Sequence, residues 1–396
     1  MKKCIVISDS FKGTLSSLEI CRIAQESIPK FFPQCQVIPV PVADGGEGTV
    51  ECFLQAIGAE PVTVSVAGPY GEPVSAVYAR KGPLAVIEMA AAAGLPMVGE
   101  RRDPESASTY GVGQIISHAV KSGCTEILLG LGGSATNDGG CGCAAAVGTV
   151  FVDRAGKPFV PTGGTLGVIE GIDISQTKKF LDGVTVTVMC DVENPLYGPT
   201  GAAYVFGPQK GADAAMVERL DGGLRHLAQV VERDLKVSIA KTPGVGAAGG
   251  MGGGCLAFLG AELKSGIQCV LDTVGFDGLL EETDLVITGE GRIDSQSVQG
   301  KVISGIAKRT KPRNIPLLAL VGGIAEDAGA GYDLGVTAMF SIDRSAQDFR
   351  EYASRSAVYY QRTLEDILRL IKAVQLHACA TTISSCAPIT QQSMSK

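Results

Sequence analysis

The chain has 396 residues, more than one typical domain core uses, and this length predicts two or three domains. Hydrophobic residues make up 45% of the chain, which excludes wholesale disorder. The formal net charge of −7, without any basic run, argues against a nucleic-acid surface.

The cysteines and histidines point to a reducing compartment. The 12 cysteines form no CxxC pair and the 3 histidines lie far apart, so we expect neither a disulfide framework nor a zinc site. Reduced thiols predict a cytoplasmic protein. Residues 242–261 are uncharged, but their glycines and a proline argue against a membrane helix.

The first predicted elements alternate strand, helix and strand. Residues 4–7 form an apolar run that predicts a strand, and an acidic turn follows it. Ser16 and Glu19 form a capping box that begins a helix, and a second apolar run covers residues 37–42. This second strand also ends in an acidic glycine loop, which contains Asp44. The order strand, helix, strand predicts a parallel sheet.

The pattern changes at about residue 61. Residues 62–66 and 74–78 alternate apolar and polar side chains, which is typical of half-exposed strands. Further strands are predicted at residues 84–88 and 184–189, and helices at residues 109–120 and 215–237.

The most distinctive stretch is residues 126–142, EILLGLGGSATNDGGCG. An apolar run that predicts a buried strand leads into a glycine loop and then into small residues that can begin a helix. That order collects free backbone N–H groups and the positive end of a helix dipole where a phosphate can bind. The side chains of Ser134, Thr136 and Asn137 can donate hydrogen bonds to phosphate oxygens. Asp138 can hold a magnesium ion. A tight turn with polar caps is the alternative explanation of the same loop.

From about residue 284 the first pattern returns. Apolar runs that predict strands cover residues 285–288, 317–321 and 337–342, and residues 349–374 form a long amphipathic helix.

These changes of pattern predict an α/β fold with a discontinuous domain. Residues 1–61 and 284–375 are expected to form one doubly wound parallel-sheet domain, interrupted by an inserted α/β domain at residues 62–283. Residues 376–396 show no apolar period and are predicted to be a disordered tail.

Acidic residues recur among glycines at the carboxyl ends of predicted strands: Asp9, Asp44, Asp138, Asp191 and Glu290. In open parallel sheets, ligands bind outside these strand ends. Each acid taken alone is also explained as a helix N-cap. Five such acids together suit magnesium bound to phosphates and a base that accepts a hydroxyl proton during phosphoryl transfer.

Asp191 is the predicted base. It follows the strongly β-patterned strand 184–189, and no histidine is placed for this role, so a carboxylate is the natural proton acceptor. Asp44 and Asp294 are the alternatives, and either can hold magnesium instead.

Three cations in or beside the acidic loops, Lys12, Arg292 and Lys301, can neutralise a phosphate or a substrate carboxylate. Ordinary surface charge explains them equally well.

The sequence also fits a second function. Residues 244–249 match the dinucleotide fingerprint GxGxxG, although only a weak strand precedes them, and a nicotinamide-dependent oxidoreductase of a small hydroxy acid would use it. A non-catalytic sugar-acid sensor is a third possibility. The number of acids argues against it, because a sensor for an anion would prefer Arg and Lys.

Together, the loops resemble those of the type-I bacterial glycerate kinase family. The segments that carry the resemblance are SDSFKG at residues 8–13, ADGGEGT at 43–49, GLGGSATNDGG at 130–140, CDVENP at 190–195, GAAGGMG at 246–252 and TGEGRIDSQS at 288–297. They follow the family's order, and the similarity extends to about residue 374.

The resemblance implies a flavodoxin-like domain interrupted by a second α/β domain, with the active site in the cleft between them. It implies phosphorylation of D-glycerate that depends on ATP and Mg²⁺ and commonly gives 2-phosphoglycerate, with 3-phosphoglycerate left open. The expected partners are D-glycerate and ATP, with no nucleic acid and no membrane, and the chain is expected to be a monomer or a homodimer.

With the resemblance, each candidate residue receives a role. The catalytic residues are Asp191, Lys12 and Asp44, and the substrate-binding residues are Asp9, Ser10, Lys12 and Arg292. ATP is assigned to Gly132, Gly133, Ser134, Thr136, Asn137, Gly249 and Gly250, and magnesium to Asp138, Glu290 and Asp294.

Overall fold

The computed structural model describes residues 1–385 except 12, 44, 47, 296, 298–300 and 345–348, and the side chains of residues 349–352 and 378–385 are also outside the described part. The chain divides into two compact units. The first consists of Met1–Val40 together with Gly278–Lys396, and the second of Pro41–Asp277.

Strands and helices follow one another along the chain. The strands are β1 (Lys3–Ser8), β2 (Gln36–Pro41), β3 (Glu60–Ala67), β4 (Pro73–Lys81), β5 (Leu84–Glu88), β6 (Glu126–Gly130), β7 (Val150–Val152), β8 (Pro158–Phe159), β9 (Gly171–Asp173), β10 (Thr185–Met189), β11 (Glu262–Lys264), β12 (Leu285–Thr288), β13 (Arg292–Ile293), β14 (Leu317–Val321), β15 (Gly323–Ile324) and β16 (Ala338–Ser341). The α-helices are α1 (Ser17–Phe31), α2 (Thr49–Ala56), α3 (Ala90–Ala93), α4 (Leu95–Val98), α5 (Tyr110–Lys121), α6 (Cys141–Ala146), α7 (Ser175–Phe180), α8 (Ala202–Phe206), α9 (Ala214–Leu235), α10 (Ala247–Leu259), α11 (Gly266–Thr273), α12 (Phe276–Leu279), α13 (Val302–Thr310), α14 (Ala330–Leu334) and α15 (Phe349–Ser385). Short 3-10 helices cover Gly163–Val168, Pro208–Lys210 and Lys311–Arg313. Among the described residues, none of the helices has the length and apolar character needed to cross a membrane.

The first unit is built around a five-stranded sheet with the strand order β2-β1-β12-β14-β16. The pairs β1–β12, β12–β14 and β14–β16 are parallel, and Cys4 lies opposite Leu285. Numbered within this sheet along the chain, the order is 2-1-3-4-5, which is the doubly wound order of flavodoxin. The predicted α/β fold class is confirmed, and the strands at residues 4 and 285 share one sheet as expected.

Helix α1 shows how the local sequence produces this unit. The Ser16 hydroxyl accepts the N–H of Glu19 at 3.2 Å, and the Glu19 carboxylate accepts the N–H of Ser16 at 3.0 Å, so the predicted capping box is present. The apolar face of α1, with Ile20 and Ile28, is buried in a core to which α15 contributes Leu364. Full burial of one such side chain stabilises the fold by about 1.5–3 kcal/mol.

The second unit contains a six-stranded sheet with the order β11-β10-β6-β5-β4-β3. The pairs β5–β6, β6–β10 and β10–β11 are parallel. At one edge of the sheet, β4 pairs antiparallel with β5, and β3 pairs antiparallel with β4. Glu88, Gly130, Met189 and Lys264 lie side by side in register at the carboxyl ends of the four parallel strands. The loops that follow these residues therefore emerge at the same end of the sheet.

Two positions differ from the sequence-based expectation. Helix α2 packs against β4 and β5 with Val50 and Phe53 buried, so the chain changes unit near residue 41, earlier than the predicted boundary at residue 61. Helix α15 continues into the predicted tail as far as Ser385. Residues 375–385 contain neither glycine nor proline that would end it. The remainder of the predicted disordered tail, residues 386–396, lies outside the described residues.

Candidate active site

The glycine loop of residues 131–140 follows β6 and is held by backbone hydrogen bonds to three other segments of the second unit. These bonds run from Gly132 N–H to Gly45 O (2.9 Å), from Ala135 N–H to Ala93 O (2.9 Å) and from Gly139 N–H to Gly249 O (3.1 Å). Because backbone, rather than long side chains, makes these contacts, the loop conformation is tightly determined.

Glycine is required where the backbones approach most closely. Gly249 has a φ of +69°, and a Cβ at this position would lie 2.0 Å from the carbonyl oxygen of Thr136. A Cβ on Gly132 would lie 2.3 Å from the Cα of Gly46. No other residue fits at these distances, which is the physical reason for glycine at positions 132 and 249.

Within this loop, Asp138 is fully buried, and both of its carboxylate oxygens accept hydrogen bonds from the protein. Oδ2 accepts the N–H and the hydroxyl of Thr109, each at 2.8 Å, and the N–H of Gly142 at 3.2 Å. Oδ1 accepts the N–H of Gly140 at 3.0 Å. Burial raises the pKa of Asp138, and the bonds from Thr109, Gly140 and Gly142 act in the opposite direction.

This arrangement changes two expectations. The N–H groups at the start of α6 are capped by Asp138, so the helix terminus is not the open phosphate site that the sequence pattern predicts. Asp138 itself holds the loop to Thr109 through its oxygens, a geometry that favours a loop-positioning role over the predicted role as a metal ligand.

Unpaired polar atoms are concentrated at Thr136 and Asn137, both 0% exposed. In the described part of the chain, the Thr136 hydroxyl and both amide atoms of the Asn137 side chain have no hydrogen-bond partner. The backbone N–H groups of Ser134, Thr136 and Asn137 likewise donate to no acceptor there. Buried polar groups are normally paired. Several unpaired donors side by side are the chemistry that a phosphate group satisfies.

Lys210 lies against the same loop. Its side chain is 2% exposed, and Nζ donates to the Ser134 hydroxyl at 2.8 Å and to the carbonyl oxygen of Thr136 at 2.7 Å. Burial lowers the pKa of Lys210 to about 7, and the charge of Asp138 offsets only part of this effect.

Asp191 follows β10 at the same end of the sheet as the glycine loop. Its side chain is exposed, and Oδ1 accepts the N–H of Gly266, the first residue of α11, at 2.9 Å. This bond to the N-terminus of α11 holds the carboxylate in position.

In the first unit, two predicted site segments meet at the point where the strand order reverses. Asp9 and Ser10 follow β1, and Glu290 follows the neighbouring strand β12. The N–H of Asp9 donates to Gly289 O at 2.9 Å, and the Asp9 carboxylate accepts the N–H of Ser10 at 2.7 Å. In doubly wound sheets, this reversal point is where ligands bind.

Glu290 is a largely buried acid of the first unit. It is 7% exposed, and its Oε1 has no partner among the described residues. Burial raises the pKa of Glu290 to about 7; a bond from Ser297 and the charge of Lys301 lower it, whereas Asp9 and Asp294 raise it further. The three carboxylates therefore interact electrostatically, although no set of three or more His, Cys, Asp or Glu in the described residues is arranged as a metal cluster.

Asp294 and Arg292 are placed differently. Asp294 Oδ1 accepts the N–H of Ser297 at 3.1 Å, which closes a turn after β13. Arg292 is exposed. A hydrogen bond from Ser295 lowers the pKa of Asp327, and the charge of Arg292 adds to this effect. Two predicted catalytic residues, Lys12 and Asp44, lie outside the described residues.

Known proteins resemble this chain over nearly its whole length. A model described as the glycerate kinase family matches residues 4–372. The chain belongs to the glycerate kinase family. A relative named glycerate kinase from Bacillus subtilis (strain 168) is 43% identical over 373 residues, which cover 93% of this chain and 98% of the relative. A relative named glycerate 2-kinase from Escherichia coli (strain K12) is 44% identical over 343 residues, 86% of this chain and 90% of the relative. A crystal structure assigned as glycerate kinase 2 from Salmonella typhimurium LT2 is 40% identical, with a TM-score of 0.84 over 94% of this chain and 99% of that one.

Membership of the glycerate kinase family confirms the predicted resemblance and shows that the chain is an enzyme, a kinase. The alternatives of a nicotinamide-dependent oxidoreductase and a non-catalytic sensor are therefore wrong. The structure gives the reason for the false GxGxxG match: residues 236–246, all described, contain no strand, and Gly249 serves to let the backbone approach Thr136.

Lys210 is not among the residues that the sequence pattern predicts for the site. The only signal is its position in GPQKG, at residues 207–211, where a lysine stands in a short turn between a proline and a glycine. Lysines in turns are usually exposed, so the sequence alone does not predict that this one is buried.

Proposed function

We propose that this kinase transfers the γ-phosphoryl group of ATP to D-glycerate with Mg²⁺ and forms 2-phosphoglycerate. The glycerate kinase family supports the reaction, and relatives named glycerate kinase and glycerate 2-kinase support the acceptor. The observation that carries the nucleotide site is the set of unpaired buried polar atoms at Thr136 and Asn137 in the glycine loop.

The phosphates of ATP are assigned to this loop. The side chains of Thr136 and Asn137, together with the N–H groups of Ser134, Thr136 and Asn137, supply donors that the protein itself does not use. The glycines at positions 132, 133, 249 and 250 are assigned to the same site. At positions 132, 249 and 250 the missing Cβ lets other segments of the protein pack closely around the loop, and Gly133 has a φ of +73°.

Magnesium and glycerate are assigned to the strand ends of the first unit. Glu290 fits a magnesium site because its Oε1 is buried without a partner, and Asp294 and Asp9 add negative charge beside it. Magnesium usually takes one or two protein carboxylates and keeps its waters, so it needs no cage of three acids. Bound magnesium would neutralise charge on the phosphates. Ser10 and Arg292 are assigned to the hydroxyl and carboxylate groups of glycerate, with Lys12 as a further cation.

Asp191 is assigned as the base. It accepts the proton of the attacking glycerate hydroxyl while the bond from that oxygen to the γ-phosphorus forms and the bond to the β,γ-bridging oxygen breaks. The hydrogen bond from the Gly266 N–H, which holds the carboxylate just beyond the end of β10, supports this role. Asp294 and Asp44 remain the alternatives. Asp138, predicted as a metal ligand, holds the loop instead in this proposal. A cytoplasmic location, an active site in the cleft between the two predicted domains and a monomeric or homodimeric state stay predictions.

A coupled assay of ADP release with D-glycerate and MgATP tests this function, with L-glycerate and buffer as controls. We expect one ADP for each D-glycerate consumed, and a phosphorus NMR resonance of 2-phosphoglycerate. A rate of ADP release that is the same with and without D-glycerate would refute the proposal. A product resonance of 3-phosphoglycerate would move the site of phosphorylation to the other hydroxyl and leave the kinase assignment in place.

A further inference from the structure

Lys210 is a buried cation that the described residues do not pair with a carboxylate. Its ammonium has three N–H groups, and the structure gives it two acceptors, the Ser134 hydroxyl and the Thr136 carbonyl oxygen, both of them neutral. In the part of the chain that the structure describes, no carboxylate oxygen lies within ion-pair distance of Nζ. Burying a charge is costly unless it is paired, so its position calls for an anion that the protein does not supply.

The surroundings of Lys210 indicate which anion this is. Nζ contacts Ser134 and Thr136, and these residues belong to the loop segment in which the backbone N–H groups of Ser134, Thr136 and Asn137 have no acceptor among the described residues. The hydroxyl of Thr136 and the amide of Asn137 are unpaired in the same segment. A positive charge and a set of unused donors therefore lie together, which is the composition of sites for phosphate groups.

The turn that presents Lys210 is also tightly determined. Lys210 ends the 3-10 helix Pro208–Lys210, and Gly211 follows with a φ of +100°. A Cβ on Gly211 would lie 2.4 Å from the carbonyl oxygen of Arg102, so the chain can turn only with glycine here. This geometry directs the lysine side chain into the protein and toward the loop instead of into solvent.

We propose that Lys210 is part of the nucleotide-binding site. It positions the glycine loop through its hydrogen bonds to Ser134 and Thr136, and the phosphates of ATP neutralise its positive charge. This inference rests on the proposed function and adds to it a residue outside the motifs that carry the family resemblance. Lys210 acts through the loop and is a positioning residue. Burial keeps the pKa of the free side chain near 7, and a bound phosphate favours the protonated form.

The test compares Lys210→Met with the wild type and with Lys157→Met. Methionine is similar to lysine in length but has no charge and no hydrogen-bond donor. Lys157 is an exposed lysine of the same unit, so Lys157→Met makes the same replacement away from the glycine loop and serves as the control. We expect Lys210→Met to weaken MgATP binding about 10- to 100-fold, the size of one charge-assisted interaction, with the KM for D-glycerate within twofold of the wild type. Lys157→Met should bind MgATP like the wild type. Binding of MgATP to Lys210→Met within twofold of the wild type would overturn the inference.

The pH dependence gives a second readout that a purely structural lysine would not change. Asp138 on the loop and Arg102, whose guanidinium donates to Gln209 O, are the charged groups that the structure places beside the Lys210 turn. Because the ammonium loses its proton as pH rises, the Kd for MgATP should increase between pH 6.5 and 8.5, by up to about tenfold per pH unit. The difference between wild type and Lys210→Met removes any titration of the nucleotide itself.

Three outcomes are informative. If the Kd of the wild type for MgATP does not change over this pH range, the inference is wrong even if the methionine variant fails to fold. If the Kd for MgATP changes with pH equally in the wild type and in Lys210→Met, the inference is also wrong. If the wild type does not bind MgATP at all, the proposed function fails first and the inference fails with it.

Discussion

Asp138→Ala tests whether this carboxylate holds the glycine loop. In the wild type, Asp138 accepts three backbone N–H groups, from Thr109, Gly140 and Gly142, and the hydroxyl of Thr109, all in a site without solvent exposure. Alanine leaves these donors in place and removes their acceptor. The expected effect is therefore a loss of stability rather than a loss of one contact with a ligand.

The magnitude follows from the number of donors. A buried N–H without an acceptor costs about 1–3 kcal/mol, and three of them are affected. Part of this cost is recovered because a carboxylate no longer has to be buried, a cost that the raised pKa of Asp138 also reflects. We expect a net loss of about 3–5 kcal/mol in the free energy of unfolding, and a melting temperature lower by on the order of 10 °C.

Chemical and thermal unfolding, followed by circular dichroism, measure this change. Asp153→Ala is a suitable control, because Asp153 Oδ1 also accepts two backbone N–H groups, from Ala155 and Lys157, at 2.9 Å each but in an exposed turn. The control should lose no more than about 1 kcal/mol, since water replaces the carboxylate. An Asp138→Ala protein as stable as the control, with a weakened response to Mg²⁺, would contradict our reasoning and return Asp138 to the role of metal ligand.

Two further predictions concern catalysis and the loop. Asp191→Asn keeps the shape of the side chain but cannot take a proton, so kcat should fall by about 10²–10⁴ with nucleotide affinity little changed, as measured by steady-state kinetics and nucleotide titration. A fall below about tenfold would move the role of base to Asp44 or Asp294. Gly249→Ala should weaken MgATP binding at least tenfold and destabilise the protein, because its Cβ would lie 2.0 Å from Thr136 O at a φ of +69°. Gly222→Ala, where no atom lies within 4 Å of the added Cβ, is the matched control, and equal behaviour of the two alanine variants would contradict this explanation.

Local patterns were sufficient to predict the sheet of the first unit. The apolar runs that begin at residues 4 and 285 are short and bounded by polar loops, so each predicts a buried strand, and the capping box at Ser16 predicts the start of α1. The return of the same pattern after a long interval predicts that distant strands share a sheet, as β1 and β12 do.

The interior of the loop could not be predicted in the same way. Whether Asp138 faces solvent or protein depends on Thr109, which lies on a different element, and no local pattern contains that contact. Lys210 is also brought to the loop by long-range packing, with Ser134 as its partner. Gly249 fits a nucleotide-binding motif in sequence, and only the contact with Thr136 reveals its use. Charge and spacing predict a phosphate-binding loop here, but they do not predict which side chains contact it.

Amide hydrogen exchange with mass spectrometry tests our central structural claim, that the phosphates of ATP bind to the glycine loop of residues 131–140. The N–H groups of Ser134, Thr136 and Asn137 have no acceptor in the described protein, so binding should give them one. We predict that MgATP slows exchange in peptides covering residues 131–140, with peptides covering β7 and β9 unchanged as an internal reference. Protection by MgATP elsewhere in the chain, with exchange in the 131–140 peptides unchanged, would contradict the claim.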